Sequence, residues 1–309
     1  MKYILITLVA IVLVLGCIGG EEAPTPVEGK GLEIIEFAAD QSEVYSGRSV
    51  RITMEVENQG GYKTENETSL VYLIGSNLNL DDTTGFSWNA TSEDETLYKY
   101  FNKDMDPADP ARDIPADRKR FSWRLNAPIL PQGQSRTDDF IGRIYYEYKT
   151  TARGTVWVYS ESEYEAARTS GKEIKKSTFT PTQGTISIEV SVSPDPPVLI
   201  EGEDTFTMSI KLSNIGGGTI YDRGAIDYET PYLGLTIDDL NWVNVDVESN
   251  DLIVTGCTGD QEMVGGRDTT LVCDVTLTPP ATVKGYSADI TVSYGYYKDS
   301  TISVTALGR

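Results

Sequence analysis

The side chains able to do chemistry in this 309-residue chain are carboxylates, tyrosines and three cysteines, because histidine is absent. Without an imidazole, Ser-His-Asp and Cys-His nucleophile systems are excluded, as are His-ligated zinc and the helical HExxH arrangement. No glycine-rich stretch has the spacing that cradles phosphate, and no CxxC exists for redox work. Carboxylates remain, and they are densest in residues 76–118: Asp81, Asp82, Glu93, Asp94, Glu95, Asp104, Asp106, Asp109, Asp113 and Asp117, interrupted by Pro107, Pro110 and Pro115. Two carboxylates flanking a glycosidic bond can hydrolyse it, so a secreted hydrolase using acids of this insertion is one expectation. Its spacing, however, singles out no pair. Calcium would draw on Asp104, Asp106 and Asp109, but it takes six to eight oxygens and the EF-hand spacing is missing. A solvated charged loop is the simpler reading.

The same insertion carries Phe86, Trp88, Tyr98, Tyr100 and Phe101. Aromatics beside charge suit contacts with a sugar or a protein, which makes these five the candidate ligand-contact residues. The alternative is that they fold back to cover one end of their domain. Asn66-Glu-Thr68 and Asn89-Ala-Thr91 have the form of N-glycosylation acceptors.

Sulfur points outside the cell. Cys257 and Cys273 flank a glycine-rich turn between two strand-like runs, which in an exported protein reads as a disulfide rather than two free thiols. Closing that loop would contribute on the order of 3 kcal/mol, and its loss is expected to weaken the second domain alone. Export is written at the start: Met1-Lys2-Tyr3, an apolar run over 4–15 broken only by Thr7, then Gly16-Cys17. This is the pattern of a secretory signal, too short for a spanning helix. Val14-Leu15-Gly16-Cys17 resembles the lipobox of prokaryotic lipoproteins. That resemblance implies cleavage of residues 1–16 and a lipid on the Cys17 sulfur; an ordinary signal with an accidental cysteine is the alternative. Residues 17–31, rich in Gly, Pro and Glu, read as a tether of roughly 20 Å average span. The expected address is the cell surface, on the outer face of the cytoplasmic membrane, with membrane lipid as the partner of the anchor.

Charge agrees with that exterior. The chain has 26 basic and 47 acidic residues, a net of −21, and removing residues 1–16 would take only Lys2 with it. Such a polyanion is repelled by nucleic acid and by anionic headgroups, so no nucleic-acid partner is expected.

The elements that must position these residues are strands. Val50, Ile52, Met54 and Val56 alternate with Arg51, Thr53, Glu55 and Glu57 and stop at Asn58-Gln59-Gly60-Gly61; Phe206, Met208, Ile210 and Leu212 alternate likewise and stop at Asn214-Ile215-Gly216-Gly217. Period two means one buried and one wet face. A tyrosine strand, 144–149, recurs as 292–297, in which Tyr146 and Tyr148 point one way and Tyr145 the other. A Gly154 turn is expected after the first. Residues 160–170 are the one good helix candidate, with Ser162 and Glu165 as a capping box and Gly171 as its stop. A repeat at about 150 residues argues for a duplicated module. The prediction is all-β: two tandem antiparallel immunoglobulin-like β-sandwiches, 32–160 and 185–309, joined by a helix and linker over 161–184.

On the strand ending in Asn-x-Gly-Gly and the late Tyr-x-Tyr strand, once per domain, the chain resembles archaeal cell-surface proteins built from CARDB-like, immunoglobulin-type modules. The resemblance implies a structural or adhesive extracellular role, with other envelope proteins or glycans as partners. It brings no catalytic residues and no cofactor. The expected function is therefore a lipid-anchored, non-enzymatic binding or envelope-structural protein.

Overall fold

The computed structural model describes residues 29–79, 85–91, 96–194, 198–200, 205–228 and 235–309. Within them the first repeat supplies β1 (Leu32–Ala39), β2 (Glu43–Tyr45), β3 (Ser49–Asn58), β4 (Ser69–Gly75), β5 (Asn89–Ala90), β6 (Tyr98–Tyr100), β7 (Arg118–Asn126) and β8 (Ser135–Ser160). A helix, α1 (Glu161–Ser170), and β9 (Thr178–Pro181) follow. The second repeat supplies β10 (Ile186–Ser193), β11 (Val198–Ile200), β12 (Thr205–Asn214), β13 (Thr219–Tyr221), β14 (Trp242–Glu248), β15 (Leu252–Thr255), β16 (Gly259–Glu262), β17 (Asp268–Leu277) and β18 (Lys284–Leu307).

Alternation decides the faces. Val50, Ile52, Met54 and Val56 are fully buried on β3, and Phe206, Met208, Ile210 and Leu212 are buried on β12. Each repeat has a four-stranded sheet, β1-β3-β7-β5 or β10-β12-β17-β15, packed on a facing sheet that contains β6-β4-β8 or β16-β14-β18. These are the strand orders of an immunoglobulin-type sandwich. The fold is all-β, as the patterning predicts.

The two facing sheets are one sheet. β8 is 26 residues long and β18 is 24, and they pair antiparallel from Lys284↔Val158 to Leu307↔Ser135. The first half of β8 pairs with β4 in the first sandwich, while its second half runs on beside β9 and β11 in the second. β18 does the reverse: Asp289–Ser293 pair with β14, and Thr305–Leu307 reach β2 of the first repeat. Each sandwich thus receives its last strand from the other repeat. The buried side chains of both halves form one continuous core. A boundary at residue 160 assigns all of β8 to one sandwich, whereas the ladder divides it between two.

The turn expected at Gly154 is absent. Gly154 lies inside β8, paired with Ala288 on one side and Phe179 on the other. A Cβ there would stand 2.3 Å from the Phe179 ring, so the missing side chain makes room for a neighbour and does not reverse the chain. The helix forms as predicted, but without the capping box. Ser160 occupies the N-cap position without a side-chain cap bond, and Glu165 pairs with Arg168 at 2.9 Å instead. Gly171 ends it with φ 67°. Cys257 and Cys273 are joined as a buried disulfide.

At the centre of the long ladder four tyrosines meet on the inner face. Tyr146, Tyr148, Tyr294 and Tyr296 are almost completely buried, with ring centroids 5.7–6.2 Å apart. The Asn-x-Gly-Gly turns serve them. The Tyr148 hydroxyl accepts from the Tyr62 N–H at 2.9 Å, and the Tyr296 hydroxyl accepts from the Gly218 N–H at 2.6 Å. Asn58 donates to the Tyr62 and Met105 carbonyls at 2.8 and 2.7 Å; Asn214 donates to those of Gly218 and Gly266 at 3.0 and 3.1 Å. Burial holds the hydroxyls protonated, pushing Tyr294 up to about 12.

Candidate functional site

The outer face of the same ladder carries the polar side chains that the inner face excludes. Period two turns Arg143, Tyr145 and Glu147 of β8 outward, and with them Tyr297 and Asp299 of β18. Arg143 donates to both oxygens of Asp299 at 2.6 and 2.7 Å and to the Tyr145 hydroxyl at 3.0 Å, and its guanidinium lies 4.1 Å from the Tyr297 ring centroid. Burial opposes the charge on Arg143, but the hydrogen bonds to Asp299 and Tyr145 outweigh it and hold the group firmly cationic. Alongside, Tyr72 of β4 and Tyr98 of β6 stand parallel, 6.5 Å apart.

A segment of the second repeat crosses onto this face of the first. Ile226, Leu235 and Leu240 join Leu70, Tyr145 and Tyr221 in a second apolar cluster. The Tyr221 and Tyr228 hydroxyls lie 2.7 Å apart, and Arg223 donates to Glu147 at 2.6 Å. Beside that crossing runs a groove made by both repeats. Tyr62, Glu65 and Thr68 line one end, Glu147 and Arg223 the middle, and Asp222, Asn244 and Asp260 a wider part of about 550 Å³. It continues to Asp238 and Trp242. Partial desolvation, then the negative charges of Asp260 and Asp239, push the Asp222 carboxyl upward. A cation–carboxylate pair on the floor, further carboxylates on the wall and an indole at one end suit a hydroxyl-rich or cationic ligand.

The five predicted contact aromatics do not converge. Trp88 is fully buried, donates to Asp138 at 2.7 Å and packs edge-on against Phe140 at 5.3 Å. Phe101 is buried against Phe121 at 4.9 Å. Tyr98 is half-buried on Tyr72, while Tyr100 is 42% exposed and Phe86 64%. Folding back accounts for Trp88 and Phe101; Tyr98 and Tyr100 share the outer face, and Phe86 stands at one end of the sandwich. Asn66 sits in a 3-10 turn whose N–H donates to Asp104, and Asn89 lies in β5 opposite Asn126. Cys17 lies outside the described residues.

Three of the described acids of the insertion are engaged. Asp104 pairs with Lys63 at 2.6 Å and is held well ionised by it; Asp117 bonds Lys103 and the Asp106 N–H; Asp109 caps Ala111 and pairs with Arg112. Among the described residues no three carboxylates or cysteines are grouped as metal ligands. Tyr72, Arg143, Arg223 and Trp242 are missing from the predicted set. Alternation alone would have turned Arg143 outward; the crossing that brings Arg223 to Glu147 has no local signal.

No protein-family model matches the chain, and no curated protein matches it by sequence. Solved structures superpose weakly. An Escherichia coli alpha-2-macroglobulin activated by porcine elastase shares 11% identity over 90% of this chain and 32% of its own, with a TM-score of 0.22. The D00-D0 domain of intimin shares 8% over 82% and 95%, at 0.18. The Enterococcus faecalis MSCRAMM ACE shares 8% over 91% and 98%, at 0.16. The chain thus spans about a third of the length of that macroglobulin. Likeness at this level carries no functional argument. Among the described residues no helix is long and apolar enough to cross a membrane.

Proposed function

We propose that this is a lipid-anchored extracellular protein that binds or braces the envelope and catalyses no reaction, built from modules like the CARDB-like units of archaeal surface proteins. The observation that carries the reading is the β8–β18 ladder, continuous from Lys284↔Val158 to Leu307↔Ser135. A ladder shared end to end leaves no linker between the sandwiches, so the body is a stiff bar with no two lobes that could close on a substrate. Its groove is a fixed docking surface for another envelope protein or a glycan. The competing hydrolase needs free paired acids in the insertion, and Asp104, Asp109 and Asp117 there are engaged in ion pairs.

The test is the anchor together with the groove. Cys17→Ser should move the protein from the membrane fraction to the medium or leave an uncut precursor; mature Cys17→Ser protein retained on membranes would refute anchoring. With the anchored chain as bait on intact cells, Arg223→Glu should release captured envelope material that the wild type holds. Turnover of envelope polysaccharide by the purified chain would refute the non-enzymatic half.

A further inference from the structure

At the far end of the first sandwich three large apolar side chains stand in solvent together: Phe86 is 64% exposed, Ile129 61% and Tyr45 49%. Their loops are tied into one tip. The Ile129 N–H donates to the Gly85 carbonyl at 2.7 Å, the Leu130 N–H to the Ser46 hydroxyl at 3.0 Å, and the Ser46 N–H to the Leu307 carbonyl at 2.8 Å. Arg48 is exposed beside them, and the Arg309 guanidinium lies 4.8 Å from the Tyr45 ring centroid. The charge here departs from that of the chain. Acidic residues make up 47 of the 309, yet residues 44–50, 85–91, 126–137 and 304–309 contain none, and hold Arg48, Arg309 and Arg136, the last paired with Asp138 at 2.8 Å; exposed Glu43 and Asp139 border them. Asp81 and Asp82, shortly before Phe86, lie outside the described residues.

We propose that this tip is a second membrane contact, resting in the headgroup layer of the bilayer that holds the Cys17 lipid. Amphipathic rings and arginines settle at the boundary between headgroup and acyl chain, apolar body inward and charge at the phosphates. Elsewhere the net charge of the body opposes close approach to anionic lipid, so loops that carry no acid of their own are the part of the body suited to reach it.

The reach fits. Gly29 is bonded to Gly184 near the middle of the ladder, and the stretch of β8 from Glu147 to Ser135 at the tip is roughly 40 Å long. The chain from Cys17 to Gly29 spans at most about 40 Å. Anchor and tip can therefore meet one bilayer when the bar leans toward it, while an upright bar would need the tether fully drawn out.

This inference rests on the lipid-anchor reading, and the two can fail separately. The full-length chain, checked by intact mass for the lipid on Cys17, is incorporated into phosphatidylcholine vesicles containing phosphatidylglycerol. A fluorescent probe is placed at Ile129→Cys or, as the control in the second sandwich, at the equally exposed Ile253→Cys, and is quenched by nitroxide-labelled lipid. The expected result is quenching at 129 roughly threefold or more above that at 253, reduced to the control level by Phe86→Ser while flotation with the vesicles persists. Flotation with equal quenching at both positions overturns the tip contact and leaves the anchor standing. Absence of the adduct, or of flotation, overturns the anchor and this inference with it.

Discussion

The two repeats solve the same problem at the ladder centre with unequal means. Tyr294 has its hydroxyl 2.9 Å from both the Thr150 and the Thr185 hydroxyls. Its counterpart Tyr146 is equally buried, yet its hydroxyl has no hydrogen-bond partner among the described residues. The reason is one position. Thr185 and Gly31 hold the same place, each accepting from the residue after the repeat's asparagine: Ile215 N–H to Thr185 and Gln59 N–H to Gly31. A Cβ on Gly31 would come within 2.6 Å of the Tyr146 hydroxyl. What the repeats share, then, is backbone geometry and ring packing; what they do not share is the polar finish. The lesson extends outward. The insertion of the first repeat, the disulfide of the second and the crossing stretches 222–228 and 235–240 are all unmatched additions to one common frame.

The comparison can be broken first inside the insertion. Trp88→Ala and Phe101→Ala remove buried rings and should each cost about 3–5 kcal/mol, whereas Phe86→Ala and Tyr100→Ala should stay within about 0.5 kcal/mol. Urea unfolding of the four variants measures this, and equal small effects would show that the insertion is no part of the first core. The disulfide comes next. Cys273→Ala should lower stability by about 2–4 kcal/mol, and because β8 and β18 belong to both sandwiches the loss should appear in one shared transition. A calorimetric trace in which only a second-sandwich transition moves would mean that the repeats unfold separately despite their common ladder. Third, Asn58→Ala strands the Tyr62 carbonyl and the Gly60 N–H and leaves the Met105 carbonyl with the Thr64 N–H at 3.1 Å, for a cost of about 2 kcal/mol. Asn214→Ala, at a half-buried site, should cost less, about 1 kcal/mol. Reversal of that order would mean that the exposed turn, not burial, sets the value of the motif.

Much of this frame is legible in sequence because it depends on local periodicity. Val50 to Val56 and Phe206 to Leu212 declare their buried faces by alternation alone, and Tyr145 against Tyr146 declares which ring faces which way. The exchange of strands is not legible that way. A strand that turns back and one that runs on have the same period, and Gly154, the residue that suggests a turn, is needed to admit Phe179. The site is harder still. Glu147 and Arg223 meet 2.6 Å apart across 76 positions of sequence, and the crossing of the second repeat onto the first brings them together. Trp88 carries the same composition signal as an exposed contact residue; its burial is decided by Asp138 and Phe140, some 50 residues on.

The finest test of the comparison is one substitution made twice. Tyr294→Phe removes a hydroxyl that the Thr150 and Thr185 side chains use, leaving two buried hydroxyls short of a partner, and should cost about 1 kcal/mol. Tyr146→Phe removes a hydroxyl that is buried with no bond among the described residues. Removing a polar atom that has already lost its water and gained nothing is neutral or slightly favourable, so stability should hold or rise by a few tenths of a kcal/mol. The rings stay in both variants, so packing is held constant and only the polar finish changes. The readout is the midpoint of chemical unfolding for the two variants and for the pair. The sites adjoin, and the double variant should equal the sum only if the hydroxyls act separately. Equal losses at both positions would show that Tyr146 is satisfied after all, and that the exchange of threonine for Gly31 is compensated at the centre of the ladder.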